Sequence, residues 1–84
     1  MLVKNFTSQT VIFQIMEDVA KQIGNNIKAA RKAKKLTQKE VAQHMYMTQQ
    51  QYSRFENGKF EFNYSQILQL CDLLDITPNE VFEK

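Results

Sequence analysis

The chain has 84 residues, a net charge of +2, two glycines, one proline, one cysteine and one histidine, which fits one domain with a modest core and excludes an internal disulfide or a cysteine metal cage. A catalytic site built on a nucleophile and a histidine would have to form around His44, and nothing near it in sequence suggests one, so neither an enzyme nor a metal or cofactor site is expected. The charge is uneven: residues 23–59 carry 8 basic and 2 acidic side chains and residues 60–84 carry 1 and 5, which suits a face turned to a polyanion but also an ordinary solvated lysine-rich surface.

Along the chain, Thr7 or Ser8 can cap a segment in which Ile12, Ile15, Met16, Val19 and Ile23 recur at three- and four-residue spacing. This predicts an amphipathic helix over 9–22. The β-rich run "TVIF" leaves a short strand at its start as the alternative. The apolar stretch is too short to span a membrane and runs into Glu17 and Asp18 instead of a cleavage site, so a cytoplasmic protein without membrane contact is expected. Gly24 and a capping Asn25 then predict a new helix to about Lys34, with Ile27, Ala30 and Leu36 inward and the lysines outward. Residues 1–22 thus read as an N-terminal extension and residues 23–84 as the main domain.

"TQKEVAQHM" opens with Thr37 and has Glu40 three residues later, the capping-box spacing that satisfies two backbone donors at a helix start. Val41, Ala42 and Met45 give this two-turn helix its apolar face. Thr48 caps the next helix, which turns Tyr52 and Phe55 to the core and closes at Gly58. In "NYSQILQLCDLLDI", Ile67, Leu70, Cys71 and Leu74 share a stripe. Thr77, Pro78 and Glu80 mark the start of a short last helix. The fold class is all-α, and no repeat or low-complexity linker interrupts it.

A capped two-turn helix, a tight turn and a second capped helix is the layout of a helix-turn-helix. Gln49 and Gln50 begin the second helix, and Arg54 lies four residues after Gln50 on the same face. Glutamine can donate to and accept from one adenine edge, and arginine suits guanine or a phosphate. These three are the expected base readers, with Ser53 a lesser candidate; Gln51, about 100° further round beside Tyr52, is expected at the rim. Taken without the preceding helix, the same stretch reads as a capped surface helix with solvated glutamines.

"IGNNIKAARKAKKLTQKEVA" followed by "MTQQQYSRFENGK" resembles the XRE-type phage repressor and Cro family, especially lambdoid repressors with glutamine-rich recognition helices, over residues 23–82. The resemblance implies a five-helix lambda-repressor-like domain with residues 1–22 as an extra helical or short-strand segment. It implies a homodimer on a palindromic double-stranded operator, acting most simply as a repressor. It implies phosphate contacts from Gln38, Thr48, Asn57 and Lys59, and an Arg31–Glu56 salt bridge that orients the recognition helix, the arginine also reaching a phosphate.

Some residues depart from the family. Tyr46 stands at a turn position usually held by glycine: if the turn keeps its left-handed residue the tyrosine is strained there, and otherwise the turn is adjusted. "KFEFNY" lacks the usual arginine and proline, Glu61 weakens the DNA side, and Phe60 and Phe62 are core or dimer residues. His44 is expected on the surface and Cys71 in the core. The extension either packs on its own domain or serves a dimer or a partner protein such as a toxin. The rival function is an antitoxin-like or other protein-interaction module whose helix-turn-helix binds DNA weakly or without specificity.

Overall fold

The apolar spacing that begins at Ile12 continues past Gly24 without a break, and in the computed structural model, which describes residues 8–84, it forms a single helix α1 (Ser8–Ala33). Four shorter helices follow: α2 (Gln38–His44), α3 (Gln49–Glu56), α4 (Tyr64–Leu74) and α5 (Pro78–Val81). No strand occurs among the described residues. Thr7, one of the two expected caps, lies outside them.

The expected helix boundary at Gly24–Asn25 is corrected. Gly24 is buried inside α1, where a Cβ would stand 2.8 Å from the Glu56 carbonyl carbon and 3.0 Å from the Phe55 carbonyl oxygen. Glycine here marks a close approach of α1 to the end of α3 and does not break the helix. Asn25 is exposed in mid-helix. Its neighbour Asn26 donates through Nδ2 to the carbonyls of Val81 (2.9 Å) and Glu83 (2.6 Å), and Gln22 donates to Glu83 (2.7 Å). These amides fasten the chain's last residues onto α1.

The core is the meeting of the five helices' apolar stripes. Ile27, Val41, Tyr52, Leu70, Leu74 and Val81 are fully buried, with Ala42, Met45, Ile67 and Cys71 around them. Burial pushes the Cys71 thiol up, which suits a packing role. Phe62 packs on this core and stacks on Phe55 at 4.9 Å, whereas Phe60 meets Phe55 edge-on and stays half-exposed. His44 is exposed at the end of α2.

Helix starts follow the sequence signals. Thr37 and Glu40 exchange capping-box bonds of 3.0 and 2.9 Å, and the Thr37 N–H holds the Glu40 carboxyl below its usual range. Thr77 caps α5, with Pro78 at its first position. Helix ends are less conventional. α1 to α4 all close on a left-handed residue, at Lys35, Tyr46, Gly58 and Asp75, and only one of these is glycine. At Tyr46 the turn is kept and not adjusted: φ is 56°, Met47 N–H donates to the Ala42 carbonyl at 2.9 Å and Tyr46 N–H to Gln43 at 3.2 Å. This paired closure is the Schellman pattern, made here by a residue that bears a strain of about 1–2 kcal/mol in that conformation.

Candidate nucleic-acid interface

α3 is held at its C-terminal end. Glu56 is 1% exposed, and both its carboxylate oxygens accept two hydrogen bonds. Oε2 accepts from Arg31 Nε (2.7 Å) and the Tyr52 hydroxyl (2.6 Å); Oε1 accepts from Arg31 Nη2 (3.2 Å) and Gln38 Nε2 (3.1 Å). Arg31 Nη1 donates to the Leu36 carbonyl at 2.8 Å. One carboxylate therefore ties α1, the start of α2 and two turns of α3 together. Burial acts to raise the Glu56 pKa, but the hydrogen bonds from Arg31, Tyr52 and Gln38 outweigh it and hold the carboxyl below the usual range. The bond to Glu56 likewise raises Arg31, and burial followed by the adjacent carboxylate pushes the Tyr52 hydroxyl far up, so it stays a donor.

Gly58 completes the dock. Its φ is 76°, Gly58 N–H donates to Phe55 and Lys59 N–H to Arg54, and a Cβ would lie 2.8 Å from the Lys21 Cα. Both glycines of the chain thus serve the contact between α1 and the end of α3.

At its other end α3 begins with a second capping box. Thr48 Oγ1 accepts from Gln51 N–H (3.1 Å), and Gln51 Oε1 accepts from Thr48 N–H (3.0 Å). Gln51 therefore secures the helix start, a role the Thr48-x-x-Gln51 spacing signals and the rim assignment overlooked. With both ends fixed, Gln49, Gln50, Ser53 and Arg54 line one open concavity of about 540 Å³, joined by Gln38 from α2. Gln49, Gln50 and Arg54 are exposed and Ser53 is half-buried. The structure brings all four expected base readers onto one face.

The expected phosphate contacts divide. Lys59, Thr48 and Asn57 are exposed, with Asn57 Nδ2 3.4 Å from Ser53 Oγ. Gln38 borders the concavity but already donates its amide to Glu56. Arg31 is 7% exposed and turned inward, with Nε, Nη1 and Nη2 all donating to protein oxygens. The geometry carries its pairing with Glu56 and does not turn it toward solvent.

Among the described residues no helix is long and apolar enough to cross a membrane, and no cluster of three or more metal-ligating side chains occurs. No solved structure matches the chain. Over 52 residues it is 35% identical to YqaE, described as an uncharacterized HTH-type transcriptional regulator of Bacillus subtilis (strain 168); the match covers 62% of this chain and 45% of that protein. The chain thus spans less than half the length of that relative. A helix-turn-helix family model matches residues 27–81, which runs from Ile27 in α1 through α5 and contains Arg31, Gln38, Tyr52 and Glu56, the side chains of the α3 dock. By that match over more than half its length, the chain belongs to the XRE-type helix-turn-helix family of DNA-binding regulators.

Proposed function

We propose that the chain is a cytoplasmic repressor that binds a palindromic operator as a homodimer, each copy laying α3 in the major groove. The observation that carries this reading is the shared concave face of Gln49, Gln50, Ser53 and Arg54, four side chains that the core does not use. Gln49 and Gln50 can each bridge the N6 and N7 atoms of an adenine, and Arg54 can fork onto guanine O6 and N7 or grip a phosphate. Thr48, Asn57, Lys59 and the edge of Gln38 supply contacts to the backbone, which set register and salt sensitivity without reading sequence. Arg31 serves by orientation, since it is 7% exposed and each of its three nitrogens already donates to Glu56 or Leu36. Two copies would present α3 helices about 34 Å apart, one turn of DNA, and repress by occluding the promoter.

Selection of bound duplexes from a random pool at fixed salt tests the reading. A palindrome is expected, and Gln49→Ala, Gln50→Ala and Arg54→Ala should each relax one base position at a cost of about 1–3 kcal/mol. A pool that returns no preferred sequence would overturn it. The second reading, an antitoxin-like protein-interaction module, is favoured by one feature, the row of exposed apolar side chains on the first half of α1.

A further inference from the structure

Tyr46 strains the backbone and covers nothing. It holds the left-handed position of the α2–α3 turn at φ 56°, which glycine would take without a steric penalty. Its side chain is 97% exposed, so neither the ring nor the hydroxyl contributes to the core. Of the three non-glycine residues in that conformation, Lys35, Tyr46 and Asp75, it alone is aromatic, and Asp75 has the Lys34 ammonium 3.8 Å away. A strained side chain with no task inside the fold points to a task outside it.

Its position names the partner. At 100° per residue round α3, Gln49, Ser53, Gln50 and Arg54 span about 140°, and Gln51 stands about 60° beyond Arg54. Glu56, which holds the Gln38 amide, stands about 20° outside Gln49 on the other side. Gln38 and Gln51 therefore mark opposite flanks of the face that carries the base readers. A helix with its side chains is about 10–12 Å across and the major groove is about 12 Å wide, so a helix seated by that face has a phosphate strand along each flank. Tyr46 is on the Gln51 flank, where the two residues share a concavity of about 410 Å³ with Met47, Phe55 and Gln66. Gln51 is engaged in the helix cap, its Oε1 accepting from Thr48 N–H, whereas Tyr46 stands clear of the surface. A second concavity, of about 310 Å³, joins Tyr46 to Gln43 and His44. No acidic side chain lines either of them, or the concavity of the base readers, so nothing along this edge repels a polyanion.

We propose that Tyr46 is a DNA-contacting residue whose hydroxyl donates to a phosphate oxygen on the groove wall that passes the Gln51 flank of α3. The proposal rests on the operator reading for the seating of α3 and adds a contact on the wall opposite Gln38. A contact to phosphate strengthens binding without selecting sequence. A phenol brings no positive charge and displaces no counterion, so Tyr46, unlike Lys59, adds affinity without steepening the salt dependence. Stability and binding are thereby set against each other at one residue, since a change that relaxes the turn also removes the contact.

The test titrates the full chain, as wild type, Tyr46→Phe and Tyr46→Gly, against a fluorescent duplex from the selected pool, or a random-sequence duplex if the pool converges on nothing. Tyr46→Phe keeps the ring and the turn and removes only the hydroxyl. Its dissociation constant should rise about tenfold or more, the loss of one hydrogen bond to a charged acceptor. The preferred bases and the slope of log affinity against log salt should stay as in the wild type. Tyr46→Gly should bind at least as weakly while melting no lower than the wild type, which separates a lost contact from a damaged fold. Tyr46→Phe binding as tightly as the wild type would overturn the proposal, and so would a changed base preference, which would make Tyr46 a reader of bases. The operator reading is judged apart from this. A palindrome bound equally well by all three proteins keeps that reading and removes the contact. A random duplex held without preference, yet more weakly by Tyr46→Phe, keeps the contact and removes the operator. A chain that binds no duplex removes both.

Discussion

Replacing Glu56 by glutamine changes one atom pair in shape almost nothing and in hydrogen bonding a great deal. Each carboxylate oxygen accepts from two donors, so either orientation of the new amide points an NH2 group at two N–H or O–H donors. Arg31, 7% exposed, is left charged without its counter-ion. Breaking one side of a buried pair costs about 3–5 kcal/mol, and for a domain of this size each kcal/mol is worth about 4–8 °C in melting temperature. Glu56→Gln should therefore melt at least about 12 °C below the wild type in a circular-dichroism scan at pH 7. The same assay run against pH supplies the sign. The Glu56 carboxyl is depressed in the folded state, so its contribution is complete above the unfolded value of about 4.3 and is lost as pH falls below that through the folded value. The wild type should show this acid loss, and Glu56→Gln should lack that part of it. A variant within about 1 kcal/mol of wild type would refute the account of Glu56 as the tie between α1, α2 and α3.

Gly24→Ala should destabilise by about 1–3 kcal/mol, because the added methyl meets the backbone of Glu56 and Phe55 and forces the two helices apart, although alanine is the better helix former. A urea melt checks it, and a stabilised variant would mean that the glycine is not a contact residue. Tyr46→Gly should stabilise by up to about 1 kcal/mol, since the tyrosine is 97% exposed and gives up no packing when its left-handed strain is relieved; an unchanged denaturation midpoint would show that the turn is not strained.

Helix capping and apolar spacing made most of this fold readable before any coordinates. Thr37 with Glu40, Thr77 with Pro78, and the stripe Ile67, Leu70, Cys71 and Leu74 are local patterns, and each element lies where its pattern puts it. The α3 face was readable for the same reason, since residues 49, 50, 53 and 54 meet by helical geometry alone. Gly24 was not readable. A glycine that breaks a helix and one that admits a neighbouring backbone look identical in sequence, and only the position of Glu56 in space tells them apart. The same holds for Asn26, whose partners are 55 and 57 residues away, and for Gln38, whose amide meets a carboxylate 18 residues on. Gln51 is a different case. Its capping spacing with Thr48 was present in the sequence, but its angle round the helix alone put it at the rim and left the cap unread.

An uninterrupted α1 makes the first half of the helix a lever on the second. There is no joint at Gly24, so a force that tilts the exposed apolar row at Ile15 is carried to the α3 dock at Ile27 through roughly 18 Å of stiff helix. A tilt of about 10° at Ile15 would swing the dock by about 3 Å, close to the 3.4 Å step between stacked base pairs. Whatever grips the exposed end can thus displace the face of Gln49, Gln50, Ser53 and Arg54 by about one base step without touching any of those side chains.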